Sequence, residues 1–150
     1  MKKSILLLAC FALLSIPAIS QVFTSDLESW TGNVPNGWVG AKTSLEADSI
    51  SPYTTSAHGG TYACKLVNRE TTHKRFTTQP VSITSGDVYT ITFWVRGHGN
   101  IRTGLFDGGT TYSYNSYIAV NSTSWTQQTQ SVSAPSTSTA AEFIFSVQSK

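Results

Sequence analysis

From residue 60 onward the chain repeats one pattern: stretches rich in β-branched and aromatic residues, many alternating apolar with polar, set about ten residues apart between turn signals. The stretches are 60–67, 74–83, 87–96, 100–106, 112–120, 125–134 and 140–148. This is the pattern of a β-sandwich or jelly roll. Ser85-Gly86-Asp87, Gly97-His98-Gly99-Asn100 and Asp107-Gly108-Gly109 supply residues that tolerate positive φ, as tight hairpin connections require, and 121–124 and 135–139 add Asn, Ser and Pro. The second half therefore reads as a meander of antiparallel hairpins. No segment sustains a 3.6-residue period; the one candidate, 43–50, is short and ends at Ser51-Pro52. Composition agrees. Charged residues are only 12%, while 21 Ser and 21 Thr accompany 4 Trp, 6 Tyr and 7 Phe. That excludes a disordered polyelectrolyte, a coiled coil and a typical helical enzyme, and it favours an all-β extracellular module.

The first residues read as an address. Lys2 and Lys3 precede the apolar run 5–14, and Ala18-Ile19-Ser20 puts small residues ahead of a cleavage point at Gln21, the pattern of a secretory signal peptide. Leu7-Leu8-Ala9-Cys10 loosely resembles a lipobox, but cutting there leaves too short an apolar segment. The expected organisation is a signal peptide, 1–20, and one β-sandwich domain, 21–150, secreted after cleavage near Ser20. No later stretch approaches the roughly 20 apolar residues of a membrane-spanning helix, so no membrane insertion is expected. Taking Lys2 and Lys3 from the 10 basic residues leaves 8, against 8 acidic ones, a balance of zero. Such a chain has no electrostatic footprint for nucleic acid or anionic membrane. The basic residues of 69–75 are interrupted by Glu70 and read as a solvated loop. Cys64, the one cysteine beyond residue 20, shares parity with Tyr62 and Leu66 and reads as a core position.

Alternation assigns faces. Tyr89, Ile91, Phe93 and Val95 make a core face, continued by Ile101, Thr103 and Leu105, which leaves Trp94, Arg96, Arg102, Gly104 and Phe106 on the outer one. Phe143, Phe145 and Val147 look inward, and Glu142, Ile144 and Ser146 outward. Sugar rings present apolar C–H faces ringed by hydroxyls, so a site for them needs aromatic platforms beside side chains that hydrogen-bond hydroxyls. Trp94, Arg96, Arg102, Tyr112, Tyr114, Asn115 and Tyr117 supply that chemistry. Strict alternation back from Ile118 and Val120 turns Tyr112 and Tyr114 inward and Asn115 and Tyr117 outward; one bulge reverses this. Catalysis is not expected. The eight carboxylates form no recognisable pair, and there is no serine elbow, zinc spacing or phosphate loop.

Four stretches in order, Leu27-Glu28 with Val34-Pro35-Asn36-Gly37-Trp38, then 58–66, then 79–97, then Ser124-Trp125 ahead of 141–145, resemble the CenC-type carbohydrate-binding modules of families four and nine, and more broadly the galactose-binding-like jelly rolls. The resemblance implies a non-catalytic module with a polysaccharide or oligosaccharide as partner, and structural roles for Trp38 and Trp125 in the core. It also implies a structural calcium ion held by Glu28 and by backbone oxygens around Gly60 and Tyr62. Modules of this kind run one more strand than this chain, so the expected jelly roll lacks its last strand and 143–147 is expected at an unpaired edge, as in the opening portion of a longer exported protein. The alternative is an adhesion or spacer module, attached for example to a hydrolase or nuclease, with no sugar binding of its own.

Overall fold

The computed structural model describes residues 21–148, so the signal-peptide segment 1–20 lies outside the described residues. Its strands are β1 (Trp30–Thr31), β2 (Val34–Pro35), β3 (Ile50–Tyr53), β4 (Ala63–Leu66), β5 (Lys74–Thr77), β6 (Val81–Ile83), β7 (Val88–Phe106), β8 (Tyr112–Tyr114), β9 (Ile118–Ser133) and β10 (Ser138–Gln148), with one 3-10 turn at Ala47–Ser49. Every pairing among them is antiparallel. The all-β sandwich expected from the alternation is the fold observed.

Two expected turns are not turns. Residues 97–100 and 121–124 face each other inside one continuous ladder, with Gly97 opposite Ser122, His98 opposite Asn121 and Gly99 opposite Val120. The register slips between Val95 and Gly97, and Gly97 and Gly99 take φ of +128° and +140°. The glycines therefore bend and twist a long ribbon instead of reversing the chain, the use that a bulge with glycine has at a sheet corner. Conversely, the stretch 74–83 breaks into β5 and β6 at Gln79-Pro80, where proline has no N–H to give the ladder.

The bend makes β7 a member of both layers. Its second half lies beside β10 and β8 in the order β5-β10-β7-β8, while its first half pairs with the end of β9. Rings from the first half then meet rings of β10 across the interior, Tyr89 against Phe143 at 5.6 Å and Phe93 against Phe145 at 4.8 Å. Ile83, Leu105, Val132, Ala134, Ala141 and Phe143 fill the space between. A second core gathers Leu45, Ile50 and Phe76 around Trp38, whose ring stacks on Phe76 at 4.6 Å with 5° between planes. Its indole N–H reaches Ser25 Oγ at 3.0 Å, so the resemblance placed Trp38 correctly in the interior. The edge expected at 143–147 is not found. β10 is flanked by β5, with Phe145 opposite Phe76, and by β7, with Phe143 opposite Leu105. No helix among the described residues is long and apolar enough to cross a membrane.

Cys64 on β4 packs against the Trp38 core, and burial pushes its thiol up to about 12. The thiolate is the reactive species, so native Cys64 should resist alkylation at pH 8.5 and react fully in denaturant. Equal rates in the two conditions would show that the thiol is not shielded.

Candidate functional site

The outer face of the first layer is laid out by register. Arg75, Ser146 and Arg102 form one row across β5, β10 and β7; Thr77, Ile144, Gly104 and Tyr114 form the next; Glu142, Phe106 and Tyr112 form the third. Tyr114 can lie down on this face because of Gly104: a Cβ there would fall 2.7 Å from the ring's Cδ1. The tyrosine in turn supports Arg102, whose guanidinium carbon is 4.1 Å from the Tyr114 ring centroid and 4.4 Å from that of Tyr117. Tyr112 lies parallel to Tyr114 at 6.1 Å and carries the Arg75 guanidinium at 5.3 Å, while Lys42 Nζ sits 4.5 Å above Phe106. The result is a line of rings with three cations over them, and pairs of this kind are each worth about 0.5–2 kcal/mol.

The segment 40–44 forms the wall behind this line. Arg75 Nε donates to the Lys42 carbonyl at 3.0 Å, and the Arg75 amide donates to Ser44 Oγ at 2.9 Å. Glu142 anchors the same wall from below: its Oε2 accepts the Lys42 amide at 3.0 Å and the Thr77 hydroxyl at 2.6 Å, with the side chain only 2% exposed. Thus the outward parity of Glu142, Ile144 and Ser146 is as expected, yet all three are covered by the wall and the tyrosines. Among the described residues the ion pairs are Arg69–Asp48 and Lys74–Glu70, so Lys42, Arg75 and Arg102 have no carboxylate partner. The Nε of Arg102 is shut off from solvent and donates to nothing. His73 edges the same face, 6.1 Å from Tyr114, and its imidazole is held below its ordinary value by burial and then by Arg102 and Arg75.

The sequence candidates separate into three places. Arg102, Tyr112, Tyr114 and Tyr117 meet on this face. The break between β8 and β9 resets the alternation, so all three tyrosines share one side. Asn115 does not join them. Its Nδ2 donates to Thr103 Oγ1 at 2.9 Å, and Thr103 donates on to Gln130 Oε1 at 2.9 Å, so it points under the sheet and fixes the connection. Trp94 and Arg96 share the parity of Arg102 but lie up to roughly 26 Å away along β7, across the bend. There Trp94, 44% exposed, carries the His58 ring stacked at 3.9 Å, and Arg96 lies over Tyr53 at 5.4 Å and Trp125 at 5.1 Å. Trp125 is thus half-buried on the outer face instead of in the core, its indole N–H donating to the Ser56 carbonyl at 3.3 Å. The loop between β3 and β4 covers this second cluster. Arg75 and Lys42 were missed by sequence reading; for Arg75 the signal was the alternation of Lys74-Arg75-Phe76-Thr77.

Glu28 does reach the loop at 60–62, but through the N–H groups of Thr61 and Tyr62. Its carboxylate accepts the Thr61 amide at 3.0 Å and the Tyr62 amide at 3.0 Å. Calcium takes six to eight oxygens, and a carboxylate whose two oxygens are both faced by amide hydrogens does not fit that set. A depression of about 410 Å³ between Asn33, Val39 and Ile50 is separate from the aromatic face and is lined by no ring or guanidinium.

Comparison with known proteins closes on the same class. The family described as "Carbohydrate binding domain", CBM 4/9, matches residues 20–150, and the chain belongs to it. Two solved structures are similar. A family 16 carbohydrate-binding module has 20% identity and a TM-score of 0.48 over 76% of this chain and 81% of its own. A family 61 module in complex with β-1,4-galactotriose has 20% identity and a TM-score of 0.49 over 87% of this chain and 90% of its own. No curated protein matches.

The second cluster yields a local test. His58→Ala should uncover Trp94, shifting its emission to longer wavelength and costing about 0.5–1.5 kcal/mol of stability by urea denaturation. Unchanged emission would mean that the loop does not rest on Trp94.

Proposed function

We propose that the chain is a non-catalytic module that takes a polysaccharide or oligosaccharide on the face of Arg102, Tyr112, Tyr114 and Tyr117, with Arg75 and Lys42 completing it. The observation that carries this reading is the Arg102 guanidinium, flanked by two tyrosine rings and without a carboxylate partner among the described residues. A guanidinium with no carboxylate beside it can donate to ligand oxygens, and the rings beside it offer platforms for the C–H faces of sugars. Trp94 and Arg96 serve instead to seat the loop that bears His58. Hydrolysis of a glycosidic bond needs two carboxylates across it, and here Glu142 is sealed and Glu70 is held by Lys74. Asp107 serves its turn, where amides of Gly109 and Thr111 hold its carboxyl below the usual range. The module works outside the cell once residues 1–20 are removed, as an ancillary part of a larger exported protein.

Calorimetric titration of the full chain with soluble glucans, xylans, mannans and galactans tests the site. Arg102→Ala and Tyr114→Ala should each weaken the best ligand about tenfold or more, and Trp94→Ala should leave it within about twofold. Heat from no glycan, or full affinity in Arg102→Ala, would overturn the assignment; loss in Trp94→Ala alone would move the site to the other cluster.

For Glu28 we propose the role its contacts favour, fastening the loop at 60–62 without calcium. Thermal melts with and without chelator should then share one midpoint, while Glu28→Ala lowers it by the loss of two charge-assisted hydrogen bonds, about 1–3 kcal/mol. A midpoint that falls with chelator would restore the metal.

A further inference from the structure

We propose that the ligand of this face is an anionic glycan, one whose sugar rings carry carboxylate or sulfate groups; this rests on the reading of the face as the binding site. The charged groups of the face are one-sided. Lys42, Arg75 and Arg102 present only donors, none has a carboxylate partner among the described residues, and each is held over a ring of the face. Hydroxyls of a neutral sugar both donate and accept, so a face for them offers carboxylates or amides beside its arginines. The candidates for that task are spent elsewhere. Glu142 lies in the floor with its Oε2 committed to Lys42 and Thr77, and Asn115 is turned under the sheet to Thr103. Glu70 is paired with Lys74.

Position adds to this. Arg75 and Arg102 both lie opposite Ser146, two strand spacings or roughly 10 Å apart, with the Tyr117 hydroxyl bonded to Ser146 Oγ at 3.1 Å between them. Two guanidinium groups so placed repel each other; the His73 imidazole beside them is held below its ordinary value first by burial and then by Arg102 and Arg75. An anion between them removes that repulsion and supplies acceptor oxygens to two guanidinium groups that have no carboxylate partner among the described residues. Guanidinium forks match carboxylate and sulfate oxygens two at a time. The chain as a whole is neutral beyond residue 20, so this is a local arrangement and not a reflection of net charge.

Four probes separate the possibilities in calorimetry of the full chain: oligogalacturonate, its fully methyl-esterified form, a sulfated galactan oligosaccharide, and neutral β-1,4-galactotriose. The expected result is binding of an acidic probe about tenfold or more tighter than its neutral counterpart, with affinity falling as salt rises. Preference for the uronate assigns carboxylate, and preference for the sulfated probe assigns sulfate. Arg102→Gln should remove most of the preference. Arg75→Gln should reduce it as well, and circular dichroism of each variant confirms the fold. Equal affinity for the acid and its ester, or tighter binding of the neutral trisaccharide, overturns the anionic assignment while leaving the binding face in place. Binding of none of the four also overturns the anionic assignment, and binding that survives Tyr112→Ala with Tyr114→Ala unchanged overturns the face itself and the inference with it.

Discussion

The bend at Gly97 and Gly99 is the constraint on which the rest of the molecule depends. Because β7 runs through it without a break, its 19 residues contribute to two layers, and the alternation is kept on both sides of the bend. Tyr89, Ile91 and Phe93 look inward in one layer and Ile101, Thr103 and Leu105 in the other, so a single strand supplies both walls of the core. The outward residues inherit the same geometry. Trp94 and Arg96 fall on the back of one layer, Arg102 on the outer face of the other, and nothing short of a break in β7 could bring them together. A hairpin at 97–100 would have made those clusters neighbours. A non-glycine residue is poorly suited to φ values of +128° and +140°, which makes these two positions the ones the architecture tolerates least in changed form.

Electrostatics on the aromatic face follow from where one carboxylate sits. Glu142 is on β10 in the middle of the layer, covered by segment 40–44, and it is compensated by an amide and a hydroxyl, not by a cation. Burying it that way is tolerable only because both donors aim at it, since an unpaired buried charge costs several kcal/mol. Its effect is mechanical. It ties the wall to the floor and so places Lys42 over Phe106 and lets Arg75 reach the Lys42 carbonyl. The three cations are then left without acid partners at the surface, where solvent limits the cost of their mutual repulsion.

Alternation is a local property, and what it governs was legible. Inner and outer residues of β7 and β10 are where the parity of residues 87–106 and 142–147 places them. The turn signals misled at 97–100 and 121–124 because glycine and asparagine serve a bend inside a ladder as well as a reversal, and only the partner strand decides between these. Trp125 was misplaced by following a family role; parity from the buried Val132 would have set it outward, as the Thr129–Thr92 and Ser131–Thr90 hydroxyl contacts on the same side show. Strand β4 was legible in the stretch 60–67, but the wall at 40–44 left no trace in the pattern, since it is held by distant partners: Ser44 by Arg75, and Lys42 by Glu142.

The same distinction explains why Asn115 matters without touching the face. Between β8 and β9 the chain must shift parity so that Tyr117 joins Tyr112 and Tyr114, and this shift is held by polar groups under the sheet. Asn115 donates to Thr103, Thr103 donates to Gln130, and Gln130 Nε2 donates to the Ser116 carbonyl at 2.9 Å, a chain that runs from a part-buried start to an exposed end. Such a chain is strong when complete and costly when one member is lost, so it specifies a single arrangement of the connection above it. Tyr117 is thereby set beside Arg102 before any ligand arrives, and the guanidinium is confined between two rings instead of sampling solvent. The rotamer freedom of arginine, otherwise lost on binding, is largely given up on folding. The orientation of the Arg102 guanidinium therefore depends on an asparagine whose side chain faces the other way.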